Sequence, residues 1–296
     1  MQVSDDDQRF AFGENWAGFL TRLDEERIRE AVRSVEELAG PGAVAGRRWL
    51  DIGSGSGLFS LAAARIGAAQ LHSFDYDPTC VACTQELRRR EGIDPGRWKI
   101  EQASVLDAAA MAELGQFDVV YSWGVLHHTG DLWTAFDHAA GAVAPGGQLL
   151  IAIYNDQGAR SRAWRTVKRI YNRLPQPLRV PYALAVMAPF ELRHLVARTA
   201  QLRPDRYVRS WTHYKSLRGM SRWHDLLDWV GGYPFEVATP GAVLDRARRH
   251  GLVLERQNVR LGLGCSEFAF RLPAAGEDAA PSAVVDPAVP ATGGPT

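Results

Sequence analysis

Short apolar runs alternate with amphipathic segments over the first half of the chain. The runs predict strands at 48–52, 70–75, 98–103, 117–122 and 148–154, and the segments between them predict helices at 58–66, 78–90 and 132–143. Strands that alternate with helices at this spacing form a mostly parallel sheet that is covered by helices on both faces. We therefore predict an α/β fold with a doubly wound sheet.

The segments outside this alternation differ in character. Residues 8–40 begin with aromatic side chains, continue as a charged helix and predict an N-terminal helical cap. The alternation stops at 157–223 and resumes with a strand at 235–238, a helix at 240–250 and strands at 252–257 and 267–271. The tail is poor in large apolar side chains, which predicts disorder. The predicted divisions are a cap at 1–46, a core at 47–156, a helical lid insert at 157–233, the end of the core at 234–273 and a tail at 274–296.

Composition changes this picture little. The formal net charge is zero, so it indicates no polyanionic partner, and we expect no nucleic acid. The acidic N-terminus does not resemble a secretory signal, and no apolar run reaches the roughly 18 residues of a membrane span. Cys80 and Cys83 form a lone C-x-x-C pair far from Cys265, which predicts small buried thiols and no metal site. We expect a cytoplasmic protein, of unknown oligomeric state.

A glycine-rich turn, Asp51-Ile52-Gly53-Ser54-Gly55-Ser56-Gly57, joins the first predicted strand to the first predicted helix. Glycines let the backbone turn sharply and approach a ligand, because no Cβ intervenes. A dinucleotide fingerprint needs G-x-G-x-x-G, and Leu58 and Ser60 occupy the positions of its third glycine, so a nicotinamide cofactor is disfavoured. The acid directly before the loop suits a ligand with a positive charge. A plain strand-to-helix turn is the alternative.

Asp75 ends the second predicted strand, 24 residues after Asp51. Ligands of such sheets bind beyond the carboxyl ends of the strands, so both acids belong to one predicted site. An acidic side chain at this position can accept hydrogen bonds from both hydroxyls of a ribose, and Tyr76 is placed to lie against an adenine. The alternative is that Asp75 only caps the helix that follows.

The stretches Trp49–Gly57, Phe74–Pro78, Gln102–Asp107, Phe117–His128 and Leu132–Gly147 together resemble the class I S-adenosylmethionine-dependent methyltransferases, in particular small-molecule methylases of the quinone-biosynthesis type. The resemblance implies a Rossmann-like methyltransferase fold and S-adenosylmethionine as the cofactor. It implies that the cofactor contacts are made by Asp51, Gly53, Ser54, Gly55 and Gly57 for the methionine part, Asp75 and Tyr76 for the ribose and adenine, Ser104 and Val105 beside the adenine, and Ser122 and Trp123 at the end of the fourth strand. The family often has an acid where Ser104 stands.

Methyl transfer from a sulfonium is a direct displacement, which depends mainly on alignment of the reactants. A general base is needed only where the acceptor must lose a proton. The candidates for this base are His127 and His128, which follow the fourth strand, and His224 with Asp228, which lie one helical turn apart. The predicted walls of an acceptor pocket are Tyr154, Asn155, Trp16, Trp223 and Tyr233. For each residue, simple packing, turn formation or a surface pair is the alternative.

The insert is strongly basic: residues 157–223 contain 15 Arg or Lys and two acids, Glu191 and Asp205. Its first part predicts an amphipathic helix, with an apolar side at Ala163, Trp164, Val167, Ile170, Tyr171 and Leu174, an opposite side at Arg162, Arg165, Arg169 and Arg173, and an end at Pro175, Pro177 and Pro181. An apolar run follows at 182–190.

Three interpretations of the insert stay open. A lid over the acceptor pocket, whose arginines favour an anionic or carrier-bound acceptor, is the one that we favour. A contact of residues 160–190 with an anionic membrane surface, with a lipid or glycan acceptor, is the second. A solvated basic face is the third. The sequence thus predicts methylation of a small-molecule acceptor at oxygen, and a non-catalytic nucleoside-binding protein is the alternative from another class.

Overall fold

The computed structural model describes residues 10, 13, 16, 20, 23–201, 222–260, 262 and 264–277, and among 222–228 it describes the side chains of 226 and 227 alone. The candidate side chains of Trp223, His224 and Asp228 therefore lie outside the described part, as do residues 278–296 of the predicted tail. The chain divides into an α/β unit, residues 11–161 and 235–287, and a helical unit, residues 1–10, 162–234 and 288–296.

The α/β unit contains the predicted sheet. Its strands are β1 (Arg48–Ile52), β2 (Gln70–Asp75), β3 (Trp98–Gln102), β4 (Phe117–Trp123), β5 (Val143–Tyr154), β6 (Val253–Asn258) and β7 (Cys265–Arg271). Its described helices are α1 (Glu25–Ala39), α2 (Leu58–Ile66), α3 (Pro78–Arg90), α4 (Ala108–Leu114), α5 (Leu132–Gly141) and α9 (Pro240–Arg249), with a short 3₁₀ turn at Leu126–His128. Helix α6 (Ala159–Arg173) begins in this unit and continues into the helical one.

The seven strands lie in the order β3-β2-β1-β4-β5-β7-β6. Strands β1 to β5 are parallel, and β7 runs antiparallel to both β5 and β6. The direction of the strand order reverses between β1 and β4, and a crevice for a ligand opens at the carboxyl ends of the strands at such a switch point. The prediction of a mostly parallel, doubly wound sheet is confirmed.

Acidic residues begin the helices that follow the carboxyl ends of the strands. Asp77, Asp107 and Asp131 cap α3, α4 and α5 by accepting backbone N–H hydrogen bonds through their side chains. Pro78 follows Asp77 in the first turn of α3, where a missing N–H costs nothing. These caps leave the loops between strand and helix short, which holds their residues at one edge of the sheet.

Some predicted boundaries are wrong. Strand β5 begins at Val143, since it pairs through an irregular register with Phe117 before the regular ladder at Gln148. The strand predicted at 235–238 is absent from this described segment, where Ala238 forms only an isolated bridge with Asn155. Helix α4 was not predicted, because its sequence, Ala-Ala-Ala-Met-Ala-Glu-Leu, is too short to show a helical period.

The helical unit contains the rest of α6, then α7 (Gln176–Ala200) and α8 (Arg222–Gly231). Helices α6 and α7 pack side by side, with the rings of Trp164 and Phe190 6.0 Å apart between centroids and the Tyr182 hydroxyl donating to the Val167 carbonyl at 3.2 Å. None of the described helices is long and apolar enough to cross a membrane.

Two predictions for this unit need correction. The buried face of α6 contains Lys168 and Asn172, whereas Ala163 and Ile170 of the predicted apolar side are exposed. Lys168 is buried because its ammonium donates to the Trp229 carbonyl and lies 4.8 Å from the centre of the Trp229 ring. The predicted end of the helix is also wrong in part, because Pro181 lies inside α7. The arginine side of α6 is exposed as predicted.

Candidate cofactor-binding site

The glycine loop turns tightly at the carboxyl end of β1. The amides of Gly53 and Ser54 both donate to the Phe74 carbonyl at the end of β2, at 2.9 and 3.1 Å. Gly53, Gly55 and Gly57 have φ angles of +79°, +55° and +81°, which L side chains rarely adopt. A Cβ at Gly53 would lie 2.4 Å from a methyl carbon of Val125 in the loop after β4. The loop therefore requires glycine for its backbone angles and, at Gly53, for its contact with the loop after β4.

Asp51 lies beneath this loop and is 2% exposed. The Ser60 hydroxyl of α2 donates to its carboxylate at 2.6 Å. Burial raises the pKa of Asp51 to about 7, with a smaller rise from the charge of Asp75 and an opposing decrease from the Ser60 hydrogen bond. A buried acid that titrates near neutral pH is typical of a functional site.

Asp75, at the end of β2, holds the other side of the loop. Its carboxylate accepts from the Gly55 amide at 2.9 Å and from the Asp77 amide at 3.0 Å. Burial raises the pKa of Asp75 to about 6, although these two amides stabilise the charged form. Asp75 does not cap α3, because Asp77 does so. The structure therefore leaves no helix-capping role to explain this half-buried acid.

The described part of the N-terminal segment lies against the same loop. The Gly13 amide donates to the Asp77 carboxylate at 3.0 Å. A Cβ at Gly55 would lie 3.2 Å from the indole of Trp16, so this ring covers the centre of the glycine loop. Trp16 is also a predicted wall residue of the acceptor pocket, which stays a prediction; its described contact is with the cofactor loop.

The candidate adenine contacts lie at the ends of β2 and β3. Tyr76 is 48% exposed, and the Ala103 amide donates to the Asp75 carbonyl at 3.1 Å, which brings the two strand ends together. The Ser104 hydroxyl accepts from the Leu106 amide at 3.2 Å. Val105 is buried. An exposed ring beside a short polar turn is an arrangement on which a planar base can stack.

The two candidates at the end of β4 point in different directions. The Ser122 hydroxyl donates to the Ile52 carbonyl at 3.1 Å, and thus ties β4 to the start of the glycine loop. The indole N–H of Trp123 donates to Glu267 of β7 at 2.8 Å. Because β5 lies between β4 and β7, the Trp123 ring extends across β5, away from β1. Val125, which sequence reasoning did not select, is the residue that meets Gly53.

The candidate histidines form an aromatic cluster after β4. The His127 ring lies 4.0 Å from the ring of Tyr154 and 4.5 Å from that of His128, measured between centroids. Tyr154 in turn lies 5.4 Å from Phe235. His127 is fully buried, whereas His128 and Tyr154 are half-buried. The structure thus brings three of the predicted site residues together at the carboxyl ends of β4 and β5.

The other described acceptor candidates, Asn155 and Tyr233, make contacts of a different kind. The Asn155 side-chain amide donates to the Arg260 carbonyl at 2.7 Å and thus ties the end of β5 to the segment between β6 and β7. Tyr233 belongs to the helical unit, where its carbonyl accepts from the Phe10 amide at 3.1 Å.

A family model described as "Methyltransferase domain" matches residues 23–218. The chain belongs to this family. Its members include the class I S-adenosylmethionine-dependent methyltransferases that the sequence resembles, and its cofactor is S-adenosylmethionine. The glycine loop, Asp51 and Asp75 lie within the matched residues.

Individual relatives match over shorter stretches. The ribosomal protein L11 methyltransferase of Pelotomaculum thermopropionicum is 32% identical over 120 residues, which are 40% of this chain and 35% of that protein. The tRNA U34 carboxymethyltransferase of Methylococcus capsulatus is 33% identical over 122 residues, 40% of this chain and 36% of that protein. The matches thus span about a third of these relatives.

Among solved structures, an O-methyltransferase family protein from Burkholderia thailandensis superposes with a TM-score of 0.50 at 18% identity. The match covers 84% of this chain and 58% of that one. This likeness shows the methyltransferase fold.

Proposed function

We propose that this methyltransferase transfers a methyl group from S-adenosylmethionine to a hydroxyl oxygen of a small-molecule acceptor. The observation that carries the proposal is the contact of Gly53 with Val125, because it joins the cofactor loop to the loop that bears His127 and His128. A methyl donor held at the first loop and an acceptor held at the second are thereby neighbours. Alignment of this kind contributes roughly 7–11 kcal/mol to catalysis.

The residues of the α/β unit fit the cofactor. In our proposal Asp51 pairs with its ammonium group, the loop of Gly53, Ser54, Gly55 and Gly57 surrounds its methionine part, and Asp75 accepts from its ribose hydroxyls. Tyr76, Ser104 and Val105 border the adenine, with Ser122 and the backbone of Trp123 at the end of β4. The bound cofactor supplies an electrophilic methyl group on a sulfonium. A buried and a half-buried carboxylate, Asp51 and Asp75, favour a cationic ligand over a pyrophosphate.

His128 is the proposed general base. His127 is fully buried between its neighbours, so His128, which is half-buried, is the histidine of the pair with surface to offer an acceptor. The rings of His127 and Tyr154 pack against the His128 ring, with centroids 4.5 and 5.4 Å from its own, and hold its orientation. A positioned base contributes about 10²–10⁴-fold to the rate when a hydroxyl must lose its proton.

The test combines binding and turnover. Calorimetry should show that wild type binds S-adenosylhomocysteine, and mass spectrometry of hydroxylated compounds, free and carrier-bound, should show one that gains a methyl mass. His128→Gln should lower kcat about 10²–10⁴-fold and leave cofactor affinity unchanged. His250→Gln, at a histidine bonded to Asp137 on α5, is the matched control and should keep full activity. Methylation of a protein such as L11 alone would contradict a small-molecule acceptor.

A second proposal concerns the helical unit, which we infer to dock on an anionic membrane surface. The exposed positions of α7 include one charged residue, Arg193, and are otherwise almost entirely apolar. The large ones are Leu178, Val180, Leu184, Phe190, Leu192, Leu195 and Val196, each 37–61% exposed. Among described residues, the other exposed large apolar side chains are Tyr76 and Ile170 of α6. Such a concentration marks an interaction surface.

Charge supports a lipid occupant. Helix α6, which packs on α7, exposes Arg160, Arg162, Arg165, Arg169 and Arg173. No acid occurs from residue 157 to 190. Arginines beside apolar side chains match an anionic bilayer, where headgroups and acyl chains lie together, and each cation near the surface contributes about 1 kcal/mol. An acceptor that partitions into lipid would then be delivered at this surface.

Sedimentation with vesicles tests this docking. Wild type should sediment with vesicles containing phosphatidylglycerol and should lose this interaction in high salt. It should not sediment with vesicles of pure phosphatidylcholine. Replacing Arg165 and Arg169 with Glu should abolish sedimentation. The matched control replaces Arg248 and Arg249 of α9, which are also exposed, with Glu and should leave sedimentation unchanged. Dimerisation without lipid that is lost in Leu192→Glu would contradict the proposal, since a second copy would then cover α7.

A further inference from the structure

Four buried polar side chains form a continuous chain of hydrogen bonds under the glycine loop. The Trp98 indole N–H of β3 donates to the Ser73 hydroxyl of β2 at 2.8 Å. The hydroxyls of Ser73 and Ser60 lie 2.7 Å apart, and Ser60 of α2 donates to Asp51 of β1 at 2.6 Å. Trp98, Ser73 and Ser60 are 0% exposed and Asp51 is 2% exposed. Four elements of the fold thus contribute one residue each.

The direction of this chain follows from the chemistry of its ends. An indole N–H only donates, and a serine hydroxyl has a single hydrogen. The Ser60 hydrogen is directed at Asp51, so the hydrogen between the two serines belongs to Ser73. Ser73 can give that hydrogen away because its oxygen already accepts from Trp98. Every hydrogen in the chain therefore points towards the Asp51 carboxylate.

Protonation of Asp51 would disturb this order. A protonated Asp51 would offer its hydrogen to Ser60, and the Ser60 hydrogen would then turn to Ser73. Ser73 would then accept from both Trp98 and Ser60, and its own hydrogen would have no acceptor among these four side chains. The arrangement therefore matches an ionised Asp51, for which an acceptor is needed at the end of the chain.

We propose that Ser60, Ser73 and Trp98 are positioning residues that hold Asp51 in its ionised form for the ammonium group of the cofactor. The proposal rests on the cofactor role of Asp51 proposed above. We assign these three residues no contact with cofactor or acceptor, and they act through Asp51. All three lie outside the stretches that carry the family resemblance, and Ser60 lies three residues after the glycine loop.

The donors act against two opposing effects. Burial and the charge of Asp75 on β2 raise the pKa of Asp51 to about 7, whereas the Ser60 donor lowers it. Asp75 is the titratable group of the described residues whose charge acts on Asp51. Because the pKa of Asp51 is so close to neutral pH, removal of one donor leaves Asp51 largely protonated at pH 7. Protonation of Asp51 should therefore lower the affinity for the cofactor.

The experiment measures the Kd of S-adenosylhomocysteine by calorimetry from pH 5.5 to 9. Wild-type affinity should fall about tenfold per unit below a midpoint near pH 7, because the ligand needs an ionised Asp51. Ser60→Ala should raise this midpoint by about one to two units, so that binding at pH 7 weakens about tenfold or more and recovers at pH 9. Ser60→Thr keeps a hydroxyl and should restore the wild-type midpoint. Ser73→Ala and Trp98→Phe should give smaller shifts in the same direction.

The midpoint separates this role from a purely structural one. Weaker binding by the same factor at every pH, with an unchanged midpoint in Ser60→Ala, would overturn the proposal. If Ser60→Ala does not fold, an unchanged midpoint in both Ser73→Ala and Trp98→Phe would overturn it equally. Failure of wild type to bind at any pH would instead refute the cofactor role of Asp51, so the two failures are distinguishable.

Discussion

The two units of this protein both bury charged groups, but they differ in their large apolar side chains. In the α/β unit Asp51 is buried and Asp75 is half-buried at the carboxyl ends of β1 and β2, and both are held by internal hydrogen bonds. In the helical unit Lys168 is buried, while a series of large apolar side chains on α7 is exposed. Burial of charge needs compensation, and exposure of apolar surface calls for a partner.

This difference fits a division of tasks that we infer. In the α/β unit the acids of the proposed cofactor site are fixed by internal hydrogen bonds before a ligand arrives, which lowers the cost of binding. The helical unit exposes the apolar side chains of α7, and covering them with a partner would lower the free energy. We infer that the first unit determines the cofactor and the second determines where the acceptor is met.

The largest expected effect is on the α/β side, at Asp75. Asp75→Ala removes the acceptor of the ribose hydroxyls and of the Gly55 amide, so the affinity for S-adenosylhomocysteine should fall at least about 100-fold. Calorimetry at pH 8 measures this fall. Asp118→Asn, at the opposite end of the sheet beside Arg48, is the matched control and should bind normally. Equal affinity of the Asp75 variant and wild type would remove the basis of the comparison.

Glycine substitutions sharpen the same side. Gly53→Ala should lower the free energy of unfolding by roughly 2–4 kcal/mol, since a Cβ there meets Val125 and the φ angle is positive. Gly92→Ala shares the positive φ but has open space around its Cβ, and should cost about 1–2 kcal/mol. Urea denaturation measures both. Only Gly53→Ala should also lose cofactor affinity, and a loss in both variants would mean that general destabilisation is responsible.

Much of the α/β unit could be predicted from the sequence, because its signals are local. The glycine loop lies between a run of apolar residues and a helix, and Asp77 with Pro78 marks the start of α3 without any knowledge of distant residues. The positions of Asp51 and Asp75 at strand ends are local signals too, and the cofactor roles assigned to them stay predictions. The short helix α4 was not predicted, because its seven residues, three of them successive alanines, show no helical hydrophobic period.

The rest could not be predicted, because it depends on partners that are distant in sequence. Lys168 is buried through a carbonyl 61 residues further along, and Trp123 reaches Glu267 across 144 residues. The chain from Trp98 to Asp51 draws on four elements that no spacing rule relates. Periodicity shows which residues are apolar, but it does not show which polar residue finds a partner in the interior.

A third prediction uses the pH dependence of stability. Burial raises the pKa of Asp51 from 3.8 to about 7, so the folded protein binds this proton more tightly than the unfolded chain. The stability due to this group is therefore complete below pH 4 and is lost as the pH rises towards and through 7. Asp51→Asn does not titrate at this position. Its free energy of unfolding relative to wild type should increase by about 1–3 kcal/mol from pH 5 to pH 8.

Urea denaturation without cofactor at both pH values measures this change, which includes the effect of the Asp51 charge on Asp75. The same variant should bind S-adenosylhomocysteine poorly, so that a gain in stability accompanies a loss of function. A constant difference between the two proteins from pH 5 to pH 8 would show that Asp51 is not strained by its burial, and the contrast between the units would then be weaker.

The smallest expected effect on folding lies in the helical unit. Leu184→Ser and Leu192→Ser replace side chains that are 47% and 61% exposed, so each should change the free energy of unfolding by no more than about 0.5 kcal/mol. Leu50→Ala in β1, at a fully buried leucine, should cost about 2–5 kcal/mol in the same measurement. If the α7 variants keep their stability and lose vesicle binding, their apolar side chains serve a partner. A large loss of stability would show that α7 is covered within the folded chain, because exposed leucines contribute little to folding.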